Sequence, residues 1–119
     1  MIYTFDRFKI DTRSRRLISD HSVTPLTPKV YTLLILLLEA SGYVVSKADI
    51  YDRVWPNTLV TESTLYKVVQ RLRLCLHEDE KNPQLIRNVH GFGYQLNCQI
   101  NLASMTPWKK MRQRLFNFF

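Results

Sequence analysis

At 119 residues, with 45% hydrophobic and 12% aromatic residues, the chain has room for one domain with a real core and is too apolar for wholesale disorder. Its net charge of +7 is unevenly placed: residues 1–80 hold 11 Lys/Arg against 10 Asp/Glu, and from Lys81 onward there are 6 basic residues and no acid. That excess points to an anionic partner, nucleic acid or an anionic membrane surface, and the 2 cysteines are too few for a disulfide framework.

Cys75 and Cys98 also lack metal-ligand spacing and read as inert thiols in a reducing cytosol. The opening "MIYTFDRFKI" interleaves charges with apolar residues, unlike a signal peptide. The longest apolar run, Leu33 to Leu38, is far shorter than the ~20 residues of a membrane helix. The expectation is a soluble, cytoplasmic chain.

Residues 1–26 read as short antiparallel strands, "YTFDRFKID", "RLIS" and "SVTPL", separated by the turn-prone "DTRSR" and "SDH". Pro25 confines its segment to an edge or a strand end. "LTPKVYTLLILLLEASG" is the strongest helix signal, with Thr27 as N-cap, Pro28 at the first position and Gly42 as the stop. Val30, Leu33, Leu34, Leu37 and Leu38 repeat at helical spacing, and Ile35 and Leu36 fill the sides, so this helix is expected at the centre of the core.

"YVV" gives a very short strand, and Ser46 caps a second helix, "KADIYDRVW", with Asp49 in the capping-box position. Ile50, Val54 and Trp55 face inward, and Pro56 ends the helix before the loop "PNTLVT". A third helix runs from about Thr61 to about His77, with Leu65, Val68, Val69, Leu72 and Leu76 in one apolar stripe. Its opposite face carries Ser63, Tyr66, Lys67, Gln70, Arg71 and Arg73, and Glu62 is its one acid before Glu78.

After the polar "HEDEKNPQ" comes "LIRNVHGFGYQLN", a hairpin whose glycines, Gly91 and Gly93, suit a tight turn with positive φ. Ile86 and Val89 differ in parity, which predicts a bulge or bend in the first of its strands. Sheet, three helices and hairpin form an α+β, winged helix-turn-helix plan over residues 1–100, with residues 101–119 as a basic, aromatic tail.

Three ordered segments, "LTPKVYTLLILLLEASGYVVSKADIYDRVW", "STLYKVVQRLRLCL" and "NPQLIRNVHGFGYQL", resemble the winged-helix DNA-binding domains of OmpR/PhoB-type bacterial response regulators. The resemblance covers about residues 3–97. The motif is expected to stand without a preceding receiver domain, an order similar to the ToxR/CadC branch, in which a cytoplasmic winged helix precedes a transmembrane segment. The family usually carries an acidic residue where Val30 stands, so the first helix is expected to lack its capping-box partner. It often has a basic residue where His90 stands and a small or branched one at Phe92.

The resemblance implies sequence-specific binding of double-stranded promoter DNA and transcriptional regulation, with the third helix in the major groove. Tyr66, Lys67 and Gln70 would then reach base edges, Gln70 pairing with adenine and Lys67 with guanine. Arg71 and Arg73 would contact phosphates or guanine, and Ser63 and Thr64 would bond phosphates near the helix start. Arg87, Asn88, His90 and Phe92 are the wing candidates for backbone or minor-groove contact. For Phe92 three placements stay open: a wedge at the DNA, a contact to a neighbouring subunit, or a side chain folded onto the core. Asn57, Thr58 and Leu59 lie in the loop that touches RNA polymerase in the relatives. A dimer on tandem half-sites is a further implication.

Catalysis is not expected. His21, His77 and His90 are scattered, no serine or cysteine sits in a nucleophile motif, and "GFG" lacks the third glycine and following helix of a dinucleotide loop. No metal or cofactor is implied. The tail "WKKMRQRLFNFF" fits a basic amphipathic helix on an anionic bilayer, the flank of a membrane span beyond Phe119, or an ordinary end. The rival functional reading is a protein-interaction or membrane-docking module that keeps the fold and has lost DNA binding.

Overall fold

A computed structural model describes residues 1–20, 22–78 and 84–103. The first stretch forms two hairpins: β1 (Ile2–Phe5), β2 (Phe8–Asp11), β3 (Arg16–Ser19) and β4 (Ser22–Pro25). Asp6, with φ of 50°, turns the chain between β1 and β2. β4 lies at the sheet edge and Pro25 is its last residue, where a missing N–H costs no ladder bond. The alternation shows in burial: Tyr3, Phe5, Phe8, Ile10 and Leu17 are buried, and the Phe5 and Phe8 rings stack with centroids 5.6 Å apart.

Helix α1 (Pro28–Glu39) takes the central place that its sequence predicts: Leu33, Leu34 and Leu37 are wholly buried, Val30 and Leu38 nearly so. Its N-cap Thr27 makes no side-chain bond and its first turn holds no acid, as the valine at position 30 implied. Val30 instead packs into the core at 2% exposure. After β5 (Val45–Ser46), helix α2 (Lys47–Val54) starts where the Ser46 hydroxyl accepts the Asp49 N–H at 3.1 Å. α2 buries Ile50 and Val54, followed by the buried Trp55. Helix α3 (Glu62–Cys75) buries Leu65, Val68, Val69 and Leu72 against α1.

The hairpin is β6 (Ile86–Val89) and β7 (Gly93–Leu96), and β7 also pairs with β5 to complete a three-stranded sheet. The expected bulge is absent: Ile86↔Leu96, Arg87↔Gln95, Asn88↔Tyr94 and Val89↔Gly93 form an unbroken register. Ile86 is buried and Val89 half-buried, so the parity mismatch is absorbed by partial exposure at the wing end. A last strand, β8 (Ile100–Ala103), returns to pair antiparallel with β1, giving a five-stranded sheet in the order β4-β3-β2-β1-β8. The folded sheet thus runs three residues past the boundary placed at residue 100. Most of the tail and residues 79–83 lie outside the described residues, so the expectations for the tail have no structural counterpart here.

Candidate nucleic-acid interface

Helix α3 begins in a cluster of hydroxyls. The Thr61 Oγ1 accepts the Thr64 N–H at 3.3 Å, and it lies 3.3 Å from Ser63 Oγ and 3.1 Å from Thr64 Oγ1. Ser63, Tyr66, Lys67 and Arg71 are exposed, and Thr64 and Gln70 are half-buried. The spacing of these residues and the opposite burial of Leu65, Val68 and Leu72 leave one polar face with Glu62 as its acid.

Lys67, Arg71 and Thr64 share an open groove of about 560 Å³ with Thr27, Pro28, Lys29, Val30, Trp55 and Val68. Lys29 was not singled out by the sequence reading. It joins the site because the N-terminus of α1 lies beside α3, with its ammonium 5.6 Å from the Trp55 ring centroid. A groove edged by three cations and a helix N-terminus favours a phosphate group electrostatically.

One residue expected on this face is elsewhere. Tyr66, Gln70 and Arg73 occupy one stripe at i, i+4 and i+7, but burial deepens along it from 43% exposure at Tyr66 to 6% at Arg73. Arg73 therefore does not offer its guanidinium to a duplex. Its Nη1 donates to Gln70 Oε1 and its Nη2 to the Ile86 carbonyl, each at 2.9 Å. The hairpin covers this end of α3, a tertiary contact that helical spacing alone does not announce.

The wing side chains Arg87, Asn88, His90 and Phe92 are all exposed. Phe92 is 54% exposed, which removes the placement folded onto the core. Its N–H donates to the Val89 carbonyl at 3.0 Å, closing a turn in which Gly91 takes φ of 74°. Gly93 has a different role from the positive-φ turn expected of it: a Cβ there would lie 1.8 Å from the Val45 carbonyl oxygen, so it permits β5 to approach β7.

Two anchors hold the wing, and both escaped the sequence reading. The Lys47 N–H donates to the Phe92 carbonyl at 3.0 Å, while the Lys47 ammonium pairs with Glu62 at the start of α3. The hydrogen bond to Glu62 raises the Lys47 pKa, and the same bond to Lys47 lowers that of Glu62. The Glu78 carboxylate accepts backbone N–H groups from Gln84 at 2.5 Å, from Leu85, and from Ile86 at 3.0 Å, fixing the entry to β6. Burial raises the pKa of Tyr94, which neighbouring Lys47 and Arg73 offset in part.

In the loop between α2 and α3, Asn57, Thr58 and Leu59 are exposed, Leu59 completely. Asn57 takes φ of 62°, which its short polar side chain tolerates. Cys75 and Cys98 are free, with thiol pKa values raised by burial. Among the described residues no group of His, Cys, Asp and Glu is arranged to hold a metal ion. Among them, too, no helix is long and apolar enough to cross a membrane.

Residues 21–96 match the family described as "Transcriptional regulatory protein, C terminal". The chain belongs to this family. It is the OmpR/PhoB-type winged-helix group that the three sequence segments resembled. The transcriptional regulator HilA of Salmonella typhimurium is 34% identical over 102 residues, 86% of this chain and 18% of HilA, so the chain spans under a fifth of that protein. The fold is shared with the DNA-binding domain of E. coli CadC, at TM-score 0.76 and 23% identity, covering 86% of this chain and 96% of that domain. It is shared also with the Klebsiella pneumoniae RstA DNA-binding domain, solved in complex with the RstA box, at TM-score 0.73 and 18% identity over 81% and 96% of the two chains. The family member described here thus has its third helix, hairpin and core where the winged-helix plan requires them.

Proposed function

We propose that the chain is a sequence-specific binder of double-stranded promoter DNA that regulates transcription, with α3 in the major groove and the wing on the adjacent backbone or minor groove. The observation that carries this reading is the polar face of α3, where Ser63, Tyr66, Lys67 and Arg71 are exposed beside a groove that adds Lys29. The names of its relatives support it: one is a transcriptional regulator, and another is a DNA-binding domain solved on its DNA box. Lys67 and Gln70 read bases, Arg71 and Lys29 contact phosphate, and Ser63 and Thr64 bond phosphate at the start of α3. Arg87, Asn88, His90 and Phe92 make the wing contacts. The activity is binding and not catalysis.

The fully exposed Leu59, with Asn57 and Thr58, supports a protein contact at the α2–α3 loop, for which RNA polymerase is the fitting partner. Pairing on tandem half-sites, a cytoplasmic location and a membrane anchor beyond residue 119 belong to the same reading.

Gel shifts across a salt series test it. A DNA binder loses affinity steeply with salt and selects a sequence from a random pool. Weak duplex affinity without selection would favour the protein- or membrane-docking module instead. Within that assay, Arg71→Ala is expected to weaken binding to every duplex and to flatten the salt slope by about 0.9, one phosphate's worth. Unchanged affinity for both specific and random DNA removes Arg71 from the contact set.

A further inference from the structure

Arg73 is 6% exposed and holds its charge in the interior. Neither ion pair among the described residues, Lys47–Glu62 or Arg53–Glu39, includes it. Its Nε is buried with no hydrogen-bond partner there, so the guanidinium is held by neutral acceptors alone. An apolar side chain of similar volume would fill the space but leave the Ile86 carbonyl and Gln70 Oε1 without this donor. The arginine also supplies direction, because a guanidinium donates and never accepts.

We propose that Arg73 is the positioning residue that sets the base preference of α3, by holding the Gln70 amide with its carbonyl inward and its NH2 outward. This rests on the DNA-binding reading above. A glutamine amide has one accepting end and one donating end, and on an open helix face it is free to turn either way. Beside Arg73 only Oε1 fits, and it receives Nη1 at 2.9 Å. Nε2 is then directed up the helix, where it donates to the Tyr66 hydroxyl at 3.0 Å. One N–H of the amide remains for a base.

In the major groove guanine presents two acceptors, N7 and O6, and no donor. Adenine presents an acceptor and a donor, and pairing with it requires the glutamine carbonyl as well as the NH2. With its carbonyl committed to Arg73, Gln70 loses the bidentate match to adenine and keeps one donor, which guanine accepts at N7 or O6 and adenine at N7 alone, so the balance tips to guanine. The second donor of Arg73, on the Ile86 carbonyl, ties this orientation to the first residue of β6. The amide is therefore set from beneath by the wing strand.

Site selection from a random duplex pool, followed by competition with single-base-pair variants, tests this. Gln70→Ala identifies the base pair concerned. The wild-type chain is expected to prefer guanine over adenine there by about threefold, less than a bidentate pair would give. Arg73→Met, which fills the space without donors, is expected to bring that ratio close to about one and leave the preferences at other positions intact. Arg73→Lys, with donors restored, regains part of it. Adenine preferred by the wild type, an unaltered ratio in Arg73→Met, or an equal loss at every position overturns the proposal. Absence of any selection by the wild type overturns the DNA reading itself, which keeps the two failures distinct. Should Arg73→Met not fold, Gln70→Glu decides. It gives the buried cation a carboxylate and turns an acceptor outward, so it must melt above the wild type and exchange guanine for cytosine, whose N4 is a donor. A lower melting point or a retained guanine preference counts against Arg73.

Discussion

Gly91 and Gly93 lie two residues apart and do unlike things. Gly91 takes φ of 74° in open space, so a methyl group there meets only the backbone penalty of the left-handed region. Gly93 has no such φ, but a Cβ would sit 1.8 Å from the Val45 oxygen and 2.9 Å from the Ser46 Cα. Gly91→Ala is expected to cost about 1–2 kcal/mol. Gly93→Ala is expected to cost at least the about 1–3 kcal/mol of an overpacked core, and to part β5 from β7. Urea melts of the two variants, with the wing amides followed by hydrogen exchange, would show the order; equal costs would mean that β5 shifts freely. The sequence announces two glycines around Phe92 but not their difference. Positive φ follows from a turn, which is local, whereas the approach of Val45 comes from a strand almost fifty residues away in the chain.

At the scale of elements, the cap residues were legible in type, but not all of them make the bond their type allows. Ser46 accepts from Asp49 as its type and spacing imply, and Thr61, read only as the start of the third helix, accepts from Thr64 in the same way. Thr27 has the right residue type and yet makes no side-chain bond. Thr27→Asp is therefore expected to stabilise α1 by about 0.5–1 kcal/mol through the cap and the helix dipole. The same carboxylate would enter the groove of Lys29, Lys67 and Arg71, so duplex affinity should fall at low salt and converge with the wild type at high salt. A rise in melting temperature without that loss of affinity would place the groove away from DNA.

The start of α3 offers the converse experiment. Glu62 pairs with Lys47 at the start of α3 and so holds that cation on the protein. Because the Glu62 pKa is lowered, this link is present above the ordinary carboxylate range and is lost as pH falls through the lowered value. Because the Lys47 pKa is raised, the link is lost at the alkaline end only as pH rises through a value above 10.5. At neutral pH Lys47 stays engaged. Glu62→Gln releases it and is expected to tighten binding to all duplexes and to steepen the salt slope by about 0.9. An unaltered slope would mean that Lys47 does not reach phosphate.

Across the whole molecule, the helices and their inward stripes could be read from periodicity, because each stripe is written within one element. Two features could not, and each depends on a contact between separate elements: the burial of Arg73 under the hairpin, and the return of β8 to β1. The last joins the two ends of the fold, with Phe5 opposite Ile100 and Ile2 opposite Ala103. β8 covers the open edge of β1 and adds the half-buried Ile100 to the core. It touches neither α3 nor the wing loop in the sheet order, since those belong to the other sheet. Stability and recognition should therefore separate when β8 is removed. Two truncations, after Ala103 and after Gln99, differ by this strand alone. The shorter is expected to melt roughly 10 °C lower, the loss of about 2 kcal/mol in a domain of this size. Its bared β1 edge should drive concentration-dependent self-association, visible by sedimentation. Both should select the same sites from a random duplex pool, because Arg73, Gln70 and the hairpin are untouched. If the shorter chain melts with the longer one, β8 is an ornament on the sheet; if it loses site selection while still folded, the five-stranded sheet takes part in holding α3 to the duplex.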